Sequence, residues 1–124
     1  MDMTLTQIYR CFCDEARLRI LHLLSQGPLC VCHFQGILKQ PQVAISKHLA
    51  YLRLNRLVVA QRHEKWMIYR LPEKRSEELD LQLRCLQDCV QSNPVFREDL
   101  KRLKQFHAES EWVRQVCQAE CETR

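Results

Sequence analysis

From Gln40 to Leu71 the chain reads QPQVAISKHLAYLRLNRLVVAQRHEKWMIYRL, and its apolar spacing changes midway. Pro41 suits the first position of a helix, where its missing N–H is not needed. Ile45, Leu49 and Leu52 then recur at helical spacing, leaving Gln42, Ser46, Lys47, His48 and Tyr51 on the outer side. Leu57 to Arg62 and Trp66 to Leu71 are β-branched and aromatic runs separated by His63-Glu64-Lys65, which predicts a hairpin, basic at both shoulders. A helix running into a two-stranded wing is the pattern of a winged helix-turn-helix.

The flanking sequence supplies the other helices. Thr4 to Phe12 is a short amphipathic segment, and Asp14-Glu15 open a second helix whose dipole they suit. That helix carries Ala16, Ile20, Leu23 and Leu24 inward and ends at Gly27-Pro28. A third runs from about Cys30 to Leu38, with Val31, Phe34, Ile37 and Leu38 inward. Ser76 caps a fifth, in which Leu79, Leu83, Leu86 and Val90 follow a four, three, four spacing suited to a partner helix. Asn93-Pro94 starts a final helix. We therefore expect one mainly α domain with a β-hairpin over residues 1–124, its DNA-binding core at about 14–72. Terminal helices at about 4–12 and 76–121 are expected to form a homodimer, which a chain of this size favours for burying its apolar faces.

The net charge of +4 is unevenly spread: residues 39–75 hold nine basic and two acidic side chains, whereas residues 76–124 hold seven basic and ten acidic. A local basic segment of this kind marks a face for double-stranded DNA. Gln42, Ser46 and His48 are the candidates for base edges. Lys39, Lys47, Arg53, Arg62 and Lys65 are placed on phosphate or in the adjacent minor groove.

Eight cysteines fall into four close pairs, Cys11/Cys13, Cys30/Cys32, Cys85/Cys89 and Cys117/Cys121. No export signal opens the chain and no apolar run is long enough for a membrane span. The expectation is a cytoplasmic protein, where paired thiols point to thiolate chemistry rather than a disulfide framework. Cys30 and Cys32 are the chief metal candidates, since thiolates suit trivalent arsenic or antimony, or zinc and cadmium. Residues two apart on a helix point about 200° apart, so an ion held by both would bend or unwind the start of the third helix.

Four pieces together, Asp14-Glu15-Ala16-Arg17-Leu18, Leu29-Cys30-Val31-Cys32, Ile45-Ser46-Lys47-His48-Leu49 and Lys65-Trp66 with Tyr69-Arg70-Leu71, resemble the ArsR/SmtB family of metalloregulatory repressors, its arsenical-responsive branch in particular. The resemblance covers residues 5–72 and implies arsenite or antimonite as inducer and an arsenic-resistance operon as target. Members carrying this Cys-Val-Cys place a third cysteine three residues after its second thiol, and here that position is Gln35. Cys117 or Cys121 is the preferred third ligand, because a terminal segment is free to reach the site. Where the family has glycines after the recognition helix and in the wing turn, this chain has Arg56 and Glu64. Asn55 and His63 are then expected to take the positive φ.

The reading is a repressor that releases its operator on binding such an ion. A redox- or persulfide-responsive thiol switch on the same fold is the alternative. A zinc-stabilised interaction module without DNA binding is a third, from another class. No H-E-x-x-H, glycine-rich phosphate loop or nucleophile elbow is present, so an enzyme is not expected.

Overall fold

The computed structural model describes residues 4–88 and 92–106. Within them, the elements run α1 (Leu5–Phe12), α2 (Glu15–Leu24), β1 (Leu29–Cys30), α3 (Val31–Leu38), α4 (Gln42–Leu54), β2 (Val59–His63), β3 (Trp66–Arg70), α5 (Glu77–Asp88) and α6 (Pro94–Gln105). The expected Val90, Cys117 and Cys121 lie outside the described residues.

Local signals set the helix starts. Thr4 Oγ1 accepts from the N–H of Gln7 while the Gln7 side chain accepts from the N–H of Thr4, a capping box that opens α1. Asp14 accepts from the N–H of Arg17 at 3.1 Å to open α2, and Asn93 opens α6 with Pro94 at its first position. Arg17 also donates to the carbonyls of Cys11 and Arg10 and lies over the Tyr51 ring, 4.4 Å from its centroid. One guanidinium thereby ties the end of α1 and the head of α2 to α4.

The core gathers Ile8 from α1, Ile20, Leu21 and Leu23 from α2, Phe34 and Ile37 from α3, and Ile45, Leu49 and Leu52 from α4. Leu79, Leu83 and Leu86 of α5 belong to the same cluster, each less than a tenth exposed in the single chain. The stripe expected to meet a partner helix is thus turned inward onto the subunit's own core. A spacing suited to a partner helix equally suits a helix of the same chain.

A third strand joins the wing, in the order β1-β3-β2. Leu29 and Cys30 pair antiparallel with Tyr69 and Ile68, and β2 pairs with β3 from Val59↔Arg70 to His63↔Trp66. Cys30 is therefore strand and N-cap rather than helix, with φ −89° and ψ 162°.

Positive φ is taken by Arg56 (65°) and Glu64 (54°) themselves, and by Lys39 (56°). Asn55 stays at −88°, so the expectation for Asn55 and His63 is corrected. The left-handed step is fixed by the helix end and by the two-residue turn between β2 and β3, whatever side chain occupies it. A side chain there costs about 1–2 kcal/mol, and glycine loses about 0.4–1 kcal/mol through its freer unfolded chain. Arg56→Gly should consequently raise stability by up to about 1 kcal/mol, read as a higher thermal midpoint. An unchanged or lower midpoint would mean that the exposed arginine contributes contacts of its own.

Candidate functional site

Cys30, as the N-cap of α3, and Cys32, in the helix's first turn, stand at the junction of β1 and α3. The expected opposition of their sulfurs rested on both lying in the helix. With Cys30 extended, the two Sγ atoms and a ring nitrogen of His33 all lie within 4.8 Å of one another. An ion can reach both sulfurs without unwinding α3. Cys30 is buried, Cys32 exposed and His33 buried, so the group is open on one side only.

His33 was not among the sequence-derived candidates. It sits three residues after Cys30, the spacing of a capping box, and its Nδ1 accepts from the N–H of Cys30 at 3.1 Å. That spacing was the available signal, hidden by placing Cys30 inside the helix. On its other side the His33 ring meets Phe106 with centroids 6.4 Å apart.

The thiols open onto a cavity of about 260 Å³ lined by Cys30, Val31, Cys32, Gln35, Gln42, Lys65, Trp66 and Met67. Gln42 begins the recognition helix α4, and Lys65, Trp66 and Met67 form the tip of the wing. The thiol group and both expected DNA-reading elements thus share one space. Gln35, which stands where the third thiol was missing, lines the cavity with an amide in place of a sulfur.

Of the expected DNA-facing residues, Gln42, Ser46, Lys47, Arg62 and Lys65 are exposed. Arg62 Nε donates to the Glu64 carbonyl at 3.2 Å, which holds it along the turn, and Lys65 lies over the Trp66 ring. His48 is half-buried with Nε2 3.9 Å from Asp14 Oδ1, turned toward the head of α2. Arg53 is exposed at the far end of α4, about 16 Å along the helix axis from Gln42. There it lines a separate basic cleft with Arg56, Lys74 and Arg75.

The remaining described cysteines are dispersed. Cys11 is fully buried, and desolvation raises its thiol pKa against the opposing charge of Arg17, the behaviour of a core thiol. Cys13 and Cys85 are exposed.

The family described as "Bacterial regulatory protein, arsR family" matches residues 14–59. The arsenical resistance operon repressor of Escherichia coli K12 is 41% identical over 91 residues, which cover 69% of this chain and 78% of that protein. The arsenic resistance transcriptional regulator ArsR1 of Pseudomonas putida KT2440 is 33% identical over 85 residues, 68% of this chain and 66% of that one. Among solved structures, HlyU from Vibrio cholerae N16961 superposes with a TM-score of 0.60 at 29% identity, covering 67% of this chain and 87% of its own.

Proposed function

Because the chain belongs to the arsR family of bacterial regulatory proteins, we propose that it is a homodimeric repressor that releases its operator when arsenite or antimonite occupies Cys30 and Cys32. The family makes it a DNA-binding transcriptional regulator with a winged helix-turn-helix and not an enzyme. The observation that carries the inducer reading is the shared cavity. An ion on the two sulfurs lies beside Gln42 of α4 and Trp66 of the wing, and Cys30 is itself paired with Ile68 of the wing strand. Occupancy then acts on the DNA-facing surface directly.

The protein would work in the cytoplasm, where thiols stay reduced. No helix among the described residues is long and apolar enough to cross a membrane. Zinc or cadmium are the other ions that such thiolates accept. The deciding measurement is a titration of the reduced protein, bound to a duplex it selects from random sequence, with arsenite, antimonite, cadmium and zinc in parallel. Release by arsenite or antimonite at stoichiometric concentration is expected. Retention of the duplex against all four ions, with release on oxidation, would overturn the reading in favour of a redox switch.

The DNA face makes a separate prediction. Lys47→Ala and Arg62→Ala should each weaken binding to every sequence and reduce the slope of log affinity against log salt by about 0.9. Ser46→Ala should relax operator preference instead. Slopes that stay the same for both basic substitutions would place the face elsewhere.

For subunit pairing, the α5 stripe is already used within the subunit, and the outer faces of α1 and α5 offer the replacement. Leu5, Tyr9 and Leu81 are exposed there, and Gln82 Nε2 donates to Tyr9 Oη at 3.2 Å, so the two faces adjoin. Leu5→Asp with Leu81→Asp should give folded monomers whose DNA affinity is lower by about a hundredfold or more, two linked half-site contacts having become one. Sedimentation as an intact dimer would discard this surface.

A further inference from the structure

Resting on the reading of Cys30 and Cys32 as an ion site, we infer that His33 supplies its third donor, so that the site also holds zinc or cadmium through two thiolates and one imidazole. The sulfurs and the imidazole nitrogen are already gathered within 4.8 Å of one another, so only small adjustments separate this group from a ligand set. Imidazole and thiolate together suit zinc, a metal usually bound by four donors of this kind. The cavity over Cys32 leaves room for a fourth donor such as water. Gln35, at the position of the missing thiol, offers only an amide. Arsenite and antimonite, which favour sulfur, would engage the two thiolates and gain little from the ring.

The His33 ring already has a task in the fold, and this gives the ion a route into it. His33 Nδ1 accepts from the Cys30 N–H at 3.1 Å, so in the neutral ring the proton is on Nε2 and Nδ1 carries the one in-plane lone pair. A metal on Nδ1 takes that lone pair, and a metal on Nε2 of the neutral ring sends the proton to Nδ1, so neither arrangement keeps the bond from the Cys30 N–H. Binding releases the thiol protons to solvent and, through either ring nitrogen, leaves the Cys30 N–H without its imidazole partner. Cys30 is both the cap of α3 and a paired residue of the wing sheet, so a divalent ion disturbs the junction of the two without unwinding the helix.

The test uses the reduced full-length chain loaded with zinc, and with cobalt(II) as a coloured substitute. X-ray absorption fine structure at the zinc edge should show imidazole scattering beside sulfur, and the cobalt form should show tetrahedral d–d bands with thiolate charge transfer. His33→Ala should lose the imidazole signal and bind zinc at least about tenfold more weakly, since removing even an outer-shell partner costs that much. Its arsenite affinity should change by less. His33→Cys should reverse the preference toward arsenite. A zinc shell in the unaltered chain without imidazole, or one that keeps imidazole in His33→Ala, would overturn the assignment while leaving the two thiolates in place. Unaltered binding by Cys30→Ser with Cys32→Ser would instead overturn the site itself. Should His33→Ala not fold, the fine structure of the unaltered chain decides alone.

Discussion

A chain carrying Cys30→Ser together with Cys32→Ser should bind its operator as tightly as the unaltered chain and keep hold of it at arsenite concentrations that strip the unaltered chain. Serine nearly matches cysteine in size, so the exposed Cys32 and the buried Cys30 change in polarity but not in shape above the core built on Phe34, Ile37 and Leu38. What is lost is the soft ligand pair. An effector can shift an equilibrium only by its differential affinity for the two states, and couplings of this kind are about 1–3 kcal/mol, or about 5–150-fold in operator affinity. Fluorescence anisotropy of labelled operator, with and without arsenite, reads the whole effect. Trp66 lines the thiol cavity, so its emission should also respond to arsenite in the unaltered chain and not in the double variant. Release of operator by arsenite from the double variant would move the inducer site away from Cys30 and Cys32.

The contrast between what the residues foretold and what folding added lies at this same junction. The α4 helix and the hairpin were legible because their apolar periods, helical through Leu52 and strand-like from Leu57, are long enough to separate the two structures. β1 was not, since two residues carry no period, and only pairing with Tyr69 and Ile68 makes Leu29 and Cys30 a strand. Missing β1 put Cys30 in the helix, which set the sulfurs wrongly apart and hid the capping relation to His33. The α5 stripe shows a different limit: Leu79, Leu83 and Leu86 were correctly apolar and periodic, but a period cannot say whether the facing surface belongs to the same chain. Arg56 and Glu64 show a third. The wing and the helix end demand a left-handed residue by geometry, and the sequence substitutes side chains that merely tolerate it.

Arg19→Met should be strongly destabilising. Arg19 Nε and Nη2 each donate to a different oxygen of Asp99 at 2.8 Å, a bidentate pair joining α2 to α6, with Asp99 fully buried. Asp99 holds the Arg19 guanidinium pKa above its ordinary value, the hydrogen bond outweighing the opposing effect of burial. Removing the arginine leaves a carboxylate without its counter-charge, which costs about 3–5 kcal/mol, a large part of the total stability of about 5–15 kcal/mol of a small domain. Replacing both partners, Arg19→Met with Asp99→Leu, should recover most of the loss, because the destabilisation comes from the stranded charge and not from the missing pair. The comparison belongs above pH 7. His22 stacks on Phe96 at 5.1 Å, and burial lowers its pKa below 6.5 against the raising influence of Asp99. The unfolded chain then binds the His22 proton more readily than the folded one, so stability falls as pH drops below 6.5 and would confound the ion-pair term. The structural consequence reaches the site through α6. Arg102 Nη1 donates to the Ile37 carbonyl at 2.8 Å, and Phe106 rests on His33, so loosening α6 from α2 also frees both ends of α3. Urea unfolding should show a lower midpoint for Arg19→Met. A loss below about 1 kcal/mol would show that Asp99 reaches solvent or another cation when its partner is removed, and that α6 is not locked through this pair.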